Sequence, residues 1–404
     1  MHSSRRDFIA RGACASTLCC LSPMVWARLL KTDLTPLVSA DYRPTDADER
    51  GLWQQCDALE REIAASKLLL EDAALKSYIQ GVMERLLGAQ AAHLRIYPVR
   101  NPEFNAAMTP NGMMIVNTGL LVRMRNEAQF AAVLGHESGH YLRRHTLQHW
   151  RDLETKTATM AFLGIGGAFG GLAGYGLAQG INMSLAVSLF SFSRELESEA
   201  DAYGLKLLNG AGYPPDAAGE IRSQLISERK ASALDRKARY KDKSLSALST
   251  HPPTEERMRD LTETGAELAR SSPLVPRDAR RSEWLAAVTP LRPMLLEEQV
   301  KLNDPGGTLY LLPSLALDGW DGQLRYFEGE VYRLRAGAGD EARATEADGA
   351  AVTLANAPSE AHRAHGYALI RAGQREAGQQ ALKRYLELAP QAADAEMVRF
   401  TLSQ

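Results

Sequence analysis

The five residues 136–140, His-Glu-Ser-Gly-His, limit most strongly what this chain can fold into. Two histidines four positions apart lie on one face of an α-helix, so both imidazoles can reach the same metal ion. Glu137, beside the first histidine, is placed to take a proton from a water that the ion activates. The pattern therefore predicts that His136 and His140 hold one zinc ion per chain, with peptide hydrolysis as the chemistry.

The residues around the motif favour a helix that begins near Asn126 and runs to about Asp152. Asn126 can cap this helix, and Gln129 stands at the reciprocal position of a capping box. A capped helix with apolar periodicity supports a metal site over the alternative, which is a pair of surface histidines on an ordinary helix.

Two further histidines follow the motif closely. At about 100° per residue, His145 and His149 would lie roughly 140° and 180° around the same helix from His140. Neither could join the same ion from that helix, so a third ligand has to come from elsewhere in the chain.

The best source of a third ligand is the polar helical pattern that begins at Ser193. Its charged residues fall on two stripes, Arg194, Glu197 and Asp201 on one and Glu195 and Glu199 on the other. The first stripe offers a carboxylate ligand, an arginine and a supporting carboxylate together. The second offers two acids alone, which is more typical of a solvated face. Spacing does not choose between the stripes, although the first has the fuller ligand chemistry.

Cysteine usage argues against a thiolate metal site. Cys14, Cys19 and Cys20 lie in a segment that we expect to be removed, which would leave Cys56 as the remaining thiol. No internal disulfide could then form, and the metal ligands must be nitrogen and oxygen atoms. The formal net charge of −2, with no long basic run, argues against nucleic acid as a partner.

The N-terminus has the features of an export signal. Arg5 and Arg6 form a pair followed by apolar residues, an uncharged stretch covers 12–27, and residues 25–27 resemble a cleavage site. The arginine pair favours the twin-arginine route over a general secretory signal or an uncleaved anchor. We therefore expect residues 1–27 to be a signal peptide and the mature protein to be periplasmic, in a Gram-negative type of cell.

Residues 157–193 contain no charged residue and many glycines. The stretch is long enough to span a bilayer, but its glycines, with Gln179 and Asn182, argue against a simple spanning helix. Close helix packing inside the protein is the plainer interpretation. A peripheral contact with a membrane surface is the alternative.

The pattern of the chain changes after a proline-containing linker over 271–310. Residues at the offsets of a tetratricopeptide repeat, a helix–turn–helix unit of about 34 residues, are Gly366, Gly373, Ala377, Leu382 and Pro390. A weaker copy precedes them, and two such units would form a small concave surface. A plain helical hairpin is the alternative.

Several motifs follow one another in an order typical of one peptidase family. They are Asn105-Ala106, Gly119-Leu120-Leu121, the histidine motif, the 193–201 pattern and Thr250-His251-Pro252. Over about residues 50–270 the chain resembles the zinc peptidases that include the CAAX prenyl proteases and the HtpX-like membrane proteases. With the export signal and the repeat-like tail, it is similar to the periplasmic branch of that family.

This resemblance assigns roles that spacing left open. It implies that Glu197 is the third zinc ligand, that Asp201 is a proton donor or supporting carboxylate, and that His251 can cover the metal. In such gluzincin peptidases a strand before the active helix forms the edge on which substrate lies extended. Here that strand is Met113, Met114, Ile115 and Val116. An interior strand is the alternative.

We therefore expect an α+β, mainly α-helical fold. Its expected parts are a signal peptide (1–27), a zinc metallopeptidase domain (28–270), a helical linker (271–310) and tetratricopeptide-like repeats (311–404). The expected substrates are polypeptides. They are misfolded or stalled exported proteins, which include outer-membrane proteins. The tail is a candidate contact for the outer-membrane protein assembly machinery.

Two other functions fit parts of this pattern. One is a chaperone or assembly factor that acts mainly through the tail with little proteolysis. The other is an interaction module with a structural zinc, which has no need of a base such as Glu137.

Replacing both Arg5 and Arg6 by Lys should leave unprocessed precursor in the cytoplasm, because the twin-arginine route requires the arginine pair. Cell fractionation with immunoblotting would measure this, with the wild-type chain as the control. Normal processing of the variant would instead indicate the general secretory route.

Overall fold

A computed structural model of the chain describes residues 42–158, 192–240, 251, 254–271 and 276–404. The expected signal peptide and nearly all of the uncharged stretch 157–193 lie outside these described residues. Among the helices of the described residues, none combines the length and apolar character that crossing a bilayer requires.

Helices make up most of the described residues, together with one small sheet, as the mainly α-helical prediction requires. The helices in chain order are α1 (Ala47–Ala64), α2 (Ala73–Leu87), α3 (Thr118–Leu121), α4 (Glu127–Leu142), α5 (His145–Ala158), α6 (Arg194–Gly210), α7 (Ala217–Asp235), α8 (Glu255–Ser271), α9 (Arg281–Val288), α10 (Arg292–Lys301), α11 (Pro305–Leu315), α12 (Gly322–Arg335), α13 (Asp340–Ala351), α14 (Ser359–Arg371), α15 (Arg375–Leu388) and α16 (Ala395–Ser403). The strands are β1 (Arg95–Val99), β2 (Ala106–Met108) and β3 (Met113–Asn117).

The sheet has the order β1-β3-β2, with β3 parallel to β1 and antiparallel to β2. The predicted strand is therefore present, but the prediction that Met113, Met114, Ile115 and Val116 form a substrate-binding edge is wrong. Their strand is the central one, because an apolar run such as this can be buried on both faces. The outer strand on the side of α4 is β2, which is too short to give a sequence pattern.

The active helix begins where the sequence predicts. The Asn126 side chain accepts a hydrogen bond from the Gln129 N–H at 2.9 Å, and the Gln129 side chain accepts one from the Arg125 N–H at 3.0 Å. These bonds satisfy backbone donors that a helix start otherwise leaves without partners.

The predicted end of that helix near residue 152 is wrong, because α4 stops at Leu142 and α5 starts at His145. Between them Arg144 has a left-handed backbone conformation (φ 58°). Its guanidinium donates hydrogen bonds to Glu49 and to the Tyr42 hydroxyl, and these contacts with the chain before α1 and with α1 itself stabilise the break.

Small residues bring α4 and α6 into backbone contact. A Cβ atom on Gly204 would lie 2.9 Å from the His136 backbone nitrogen, and one on Gly139 would lie 3.0 Å from the Ala200 Cα. Larger residues would separate the two helices, so this contact sets how closely α6 approaches the histidine motif.

The C-terminal helices form two antiparallel hairpins, α12 with α13 and α14 with α15, followed by α16. Within the second hairpin a Cβ on Gly366 would lie 2.9 Å from the Leu382 side chain, so these two predicted repeat residues do pack together. The tail joins the rest of the chain through α11, which packs on α7. There a Cβ on Gly306 would lie 2.6 Å from the Ala231 carbonyl oxygen.

Gly204→Ala should destabilise the fold by about 1–3 kcal/mol, because the added methyl group forces α4 and α6 apart. Gly210→Ala on the same helix is the matched control, since its Cβ would meet nothing within 4 Å. The control should be neutral or stabilising by up to about 1 kcal/mol. Urea unfolding of both variants would measure the difference, and equal midpoints would contradict the proposed contact.

Candidate metal centre

The two histidines of the motif point inward from α4. His136 and His140 are both buried, and their Nε2 atoms lie 3.1 Å apart. Both imidazoles thus present the same ring nitrogen to one point, as their four-residue spacing predicts.

A carboxylate from α6 faces this pair. Glu197 Oε2 lies 3.6 Å from His136 Nε2, and Glu197 Oε1 lies 3.5 Å from His140 Nε2. His251 completes the group, with its Nδ1 at 3.4 Å from His136 Nε2 and 2.6 Å from Glu197 Oε1. The structure therefore brings together four side chains that are far apart in the sequence.

The spacing of these four groups suits a metal ion. Each offers one ligand atom, and those atoms all lie within 4.8 Å of one another. Ligand atoms about 2.0–2.2 Å from a tetrahedral zinc lie roughly 3.3–3.6 Å from each other, and most of the measured separations are close to this. His136, His140, Glu197 and His251 can therefore hold one metal ion.

The surroundings put these ligands in the protonation states that metal binding needs. Burial lowers the pKa of His136 to about 4 and holds the pKa of His140 well below its usual value, so both imidazoles are neutral. Burial alone would raise the pKa of Glu197, but the charges of Arg257 and His251 outweigh it and bring that pKa to about 2. These three ligands are thus deprotonated at neutral pH. Burial would lower the pKa of His251 too, but the negative charges of Glu197 and Glu137 outweigh it and raise that pKa.

The His136 ring nitrogen that does not face the metal group, Nδ1, lies against a second carboxylate of α6, that of Asp201. His136 Nδ1 is 2.8 Å from Asp201 Oδ1. Arg222 from α7 and Arg257 from α8 donate hydrogen bonds to the same carboxylate at 2.6 and 2.8 Å. Although burial opposes ionisation, these two guanidinium groups hold the pKa of Asp201 well below its usual range. The carboxylate can therefore fix the orientation of His136.

The arginine that the sequence predicted for this role is not the one that the structure places there. Arg194 is exposed on the first turn of α6, whereas Arg257 lies 2.6 Å from Glu197. The exposed position of Arg194, at the first residue of α6, explains the error. Arg222 and Arg257 come from other helices, so no local pattern could identify Arg222, and only the closeness of Arg257 to His251 in the sequence gave a signal.

Glu137 lies beside the group without joining it. Its carboxylate is buried, and burial raises its pKa to about 7. Its Oε1 is 3.6 Å from His251 Nε2. A carboxylate whose pKa is near neutrality can both accept and return a proton.

A small cavity of about 40 Å³ adjoins Glu137 and His251. Its apolar wall consists of side chains from α4, α6, α7 and α8, namely Val133, Leu205, Ile221, Leu225 and Leu261. Asn105 and Ala106 line another side, so the outer strand β2, not β3, reaches the site.

The His140 ring also contacts residues that sequence reasoning missed. The Phe192 ring stacks on the His140 ring at a centroid distance of 4.0 Å. His145 stays outside the ligand group, as predicted, but its Nδ1 lies 2.9 Å from His140 Nδ1. Glu199 is not on a solvated face, because it pairs with Arg143 and is only 23% exposed at its side chain.

Two inward histidines with an adjacent glutamate on one helix, and a carboxylate on a second helix, define the metallopeptidase class with the HExxH motif. Comparison with known families adds the particular family. Residues 69–265 match peptidase family M48, and the chain therefore carries an M48 domain, the domain of a family of zinc metallopeptidases. The matched range includes all the residues of the metal group described above.

Individual relatives are similar to this chain over about half of its length. The beta-barrel assembly-enhancing protease of Escherichia coli (strain K12) is 26% identical over 215 residues, which cover 51% of this chain and 42% of that protein. The mitochondrial metalloendopeptidase OMA1 of Schizosaccharomyces pombe is 30% identical over 189 residues, 46% of this chain and 52% of that protein. The metalloprotease LoiP of Escherichia coli is 27% identical over 176 residues, 43% and 68% respectively.

Proposed function

We propose that this protein is a zinc-dependent metalloendopeptidase that hydrolyses peptide bonds in polypeptide substrates. The convergence of His136, His140 and Glu197 on one point, with Glu137 beside them, is the observation that carries the proposal. Two imidazoles and one carboxylate are a frequent ligand set of catalytic zinc.

Each residue has a distinct part in the proposed reaction. His136, His140 and Glu197 would hold the zinc, which when bound polarises the scissile carbonyl and acidifies a water. Glu137 takes the proton of the attacking water and passes it to the leaving amine, for which its pKa of about 7 is suited. Asp201 holds His136 in the tautomer whose Nε2 is free, and Arg257 holds the Glu197 carboxylate.

The proposed setting is the periplasm, with misfolded or stalled exported proteins as substrates and outer-membrane proteins among them. The N-terminal sequence pattern and the similarity to the beta-barrel assembly-enhancing protease support this setting. The helical hairpins of α12–α15 are proposed to be tetratricopeptide-like and to contact the outer-membrane protein assembly machinery. A chaperone that uses this tail with little proteolysis is the competing hypothesis.

Glu137→Gln should lose nearly all cleavage of casein while retaining the metal, because the variant keeps the ligands and lacks the base. Elemental analysis and a casein assay on the purified full chain would measure the two properties. If the wild-type chain binds metal but cuts casein no faster than Glu137→Gln does, the chaperone hypothesis is favoured instead.

The matched ligand controls are on α6. Glu197→Ala should lose the metal together with the activity, whereas Glu195→Ala, at an exposed position two residues earlier, should retain both. Loss of metal in Glu195→Ala but not in Glu197→Ala would contradict the proposed ligand set.

We also propose that His251 gates the enzyme. A catalytic zinc needs an open position for water, whereas a site closed by four protein ligands is inert. His251 Nδ1 lies where a fourth ligand would lie, 3.4 Å from His136 Nε2 and 2.6 Å from Glu197 Oε1. Its imidazole would then have to leave before substrate is cut, and substrate or partner binding would have to displace it.

His251→Ala should raise the cleavage rate on loosely folded casein at unchanged zinc content, because the fourth position is then free for water. Steady-state cleavage and elemental analysis would test this beside the wild-type chain. Lower activity with the metal retained would instead indicate that His251 helps the reaction or supports the site.

A further inference from the structure

His145 is fully buried, with 0% of its surface exposed, although it begins a new helix. The left-handed Arg144 separates α4 from α5, and the His145 side chain lies against His140. Its Nδ1 lies 2.9 Å from His140 Nδ1, on the side of that ring opposite the metal group. A histidine buried at this position serves neither the ligand set nor the proposed base.

The hydrogens on the three groups can be assigned from the contacts. His140 presents Nε2 to the metal group, so a neutral His140 carries its hydrogen on Nδ1. That N–H can donate to His145 Nδ1, which must then be the acceptor. A neutral His145 therefore carries its own hydrogen on Nε2, and this atom is 3.6 Å from Glu199 Oε2.

Glu199 is itself held in place. The Arg143 guanidinium donates to its other carboxylate oxygen, and Arg143 belongs to the short connection between α4 and α5. The series therefore runs from His140 through His145 and Glu199 to Arg143, and within it the 3.6 Å between His145 Nε2 and Glu199 Oε2 is an electrostatic contact longer than a hydrogen bond. A series of this kind fixes one ring orientation and one tautomer of the ligand.

We propose that His145 is a positioning residue for the metal ligand His140, and that Glu199 anchors it. The two histidines of the motif would then be oriented in different ways. Asp201 contacts His136 directly, whereas Glu199 acts on His140 through His145. Both carboxylates come from α6. This inference rests on the metal binding proposed above and adds the residues that make His140 a good ligand.

The test is zinc affinity, measured on the full chain by competition with a chromophoric chelator. His145→Leu fills the site without an acceptor and should weaken zinc binding roughly 10- to 100-fold. His145→Asn places an amide oxygen near the position of Nδ1 and should recover affinity to within about 10-fold of the wild type. Asn fills the space of the His145 side chain less well than Leu does. Recovery of zinc affinity in His145→Asn would therefore come from the hydrogen-bond acceptor and not from packing.

Two carboxylate variants complete the test. Glu199→Gln keeps an acceptor for His145 without the charge and should weaken zinc binding less than His145→Leu does. Glu195→Gln, at an exposed position on the same helix, should match the wild type. Thermal unfolding of each apo-protein reports whether a variant is folded.

The outcomes separate this inference from the function on which it rests. Equal zinc affinity of His145→Leu and the wild type would overturn it, as would Asn binding no more tightly than Leu. Failure of the wild-type chain to bind zinc at all would overturn the proposed function as well.

Discussion

The backbone contact between α4 and α6 is the constraint on which the site depends. Gly139 and Gly204 leave no side chain between the two helices, and even one methyl group at either position would meet backbone atoms. Because the helices touch, Glu197 and Asp201 reach the two sides of the histidine motif without extended side chains. The geometry of the centre thus depends on the absence of side chains at Gly139 and Gly204.

Electrostatic balance is the second requirement of this arrangement. Glu137, Glu197 and Asp201 are all buried in one small volume, and isolated buried carboxylates are costly. Arg222 and Arg257 compensate Asp201 and Glu197. Burial raises the pKa of Glu137, and the charges of His251, Arg222 and Arg257 offset this rise only in part. The same pair of helices, α7 and α8, also lines the cavity beside Glu137, so charge compensation and the shape of the cleft have a common source.

The sequence was most informative where chemistry depends on spacing within one element. The positions of His136, His140 and Asn126 on a capped helix could be predicted because helical periodicity determines which side chains share a face. The pairing of Glu197 with Asp201 required the family resemblance, since periodicity left two stripes open. The central position of β3 could not be predicted, because the partner strand β2 is too short to leave a pattern. Arg222, Arg257 and Phe192 were missed since each reaches the site through tertiary packing alone.

His145 and Glu199 illustrate a different limit. His145 was excluded on the assumption that one helix continued to residue 152, and a single left-handed residue, Arg144, makes that assumption wrong. Glu199 was set aside because its stripe offered two acids alone, a pattern typical of a solvated face. The sequence gives no strong signal for the break at Arg144, because arginine rarely adopts a left-handed backbone conformation. The contacts that stabilise it come from Glu49 and Tyr42, more than ninety positions earlier in the chain.

Because α6 supplies one proposed ligand and both proposed anchors, the centre does not exist until α6 docks on α4. The histidine motif alone would be a weak chelator in an unfolded chain, so zinc would bind almost entirely to the folded state. Mass action then adds the binding free energy to the stability, about 4.1 kcal/mol when free zinc is a thousand times the dissociation constant. The ion would thus stabilise the contact between α4 and α6 as well as take part in catalysis. Its removal would weaken the contact on which the site depends.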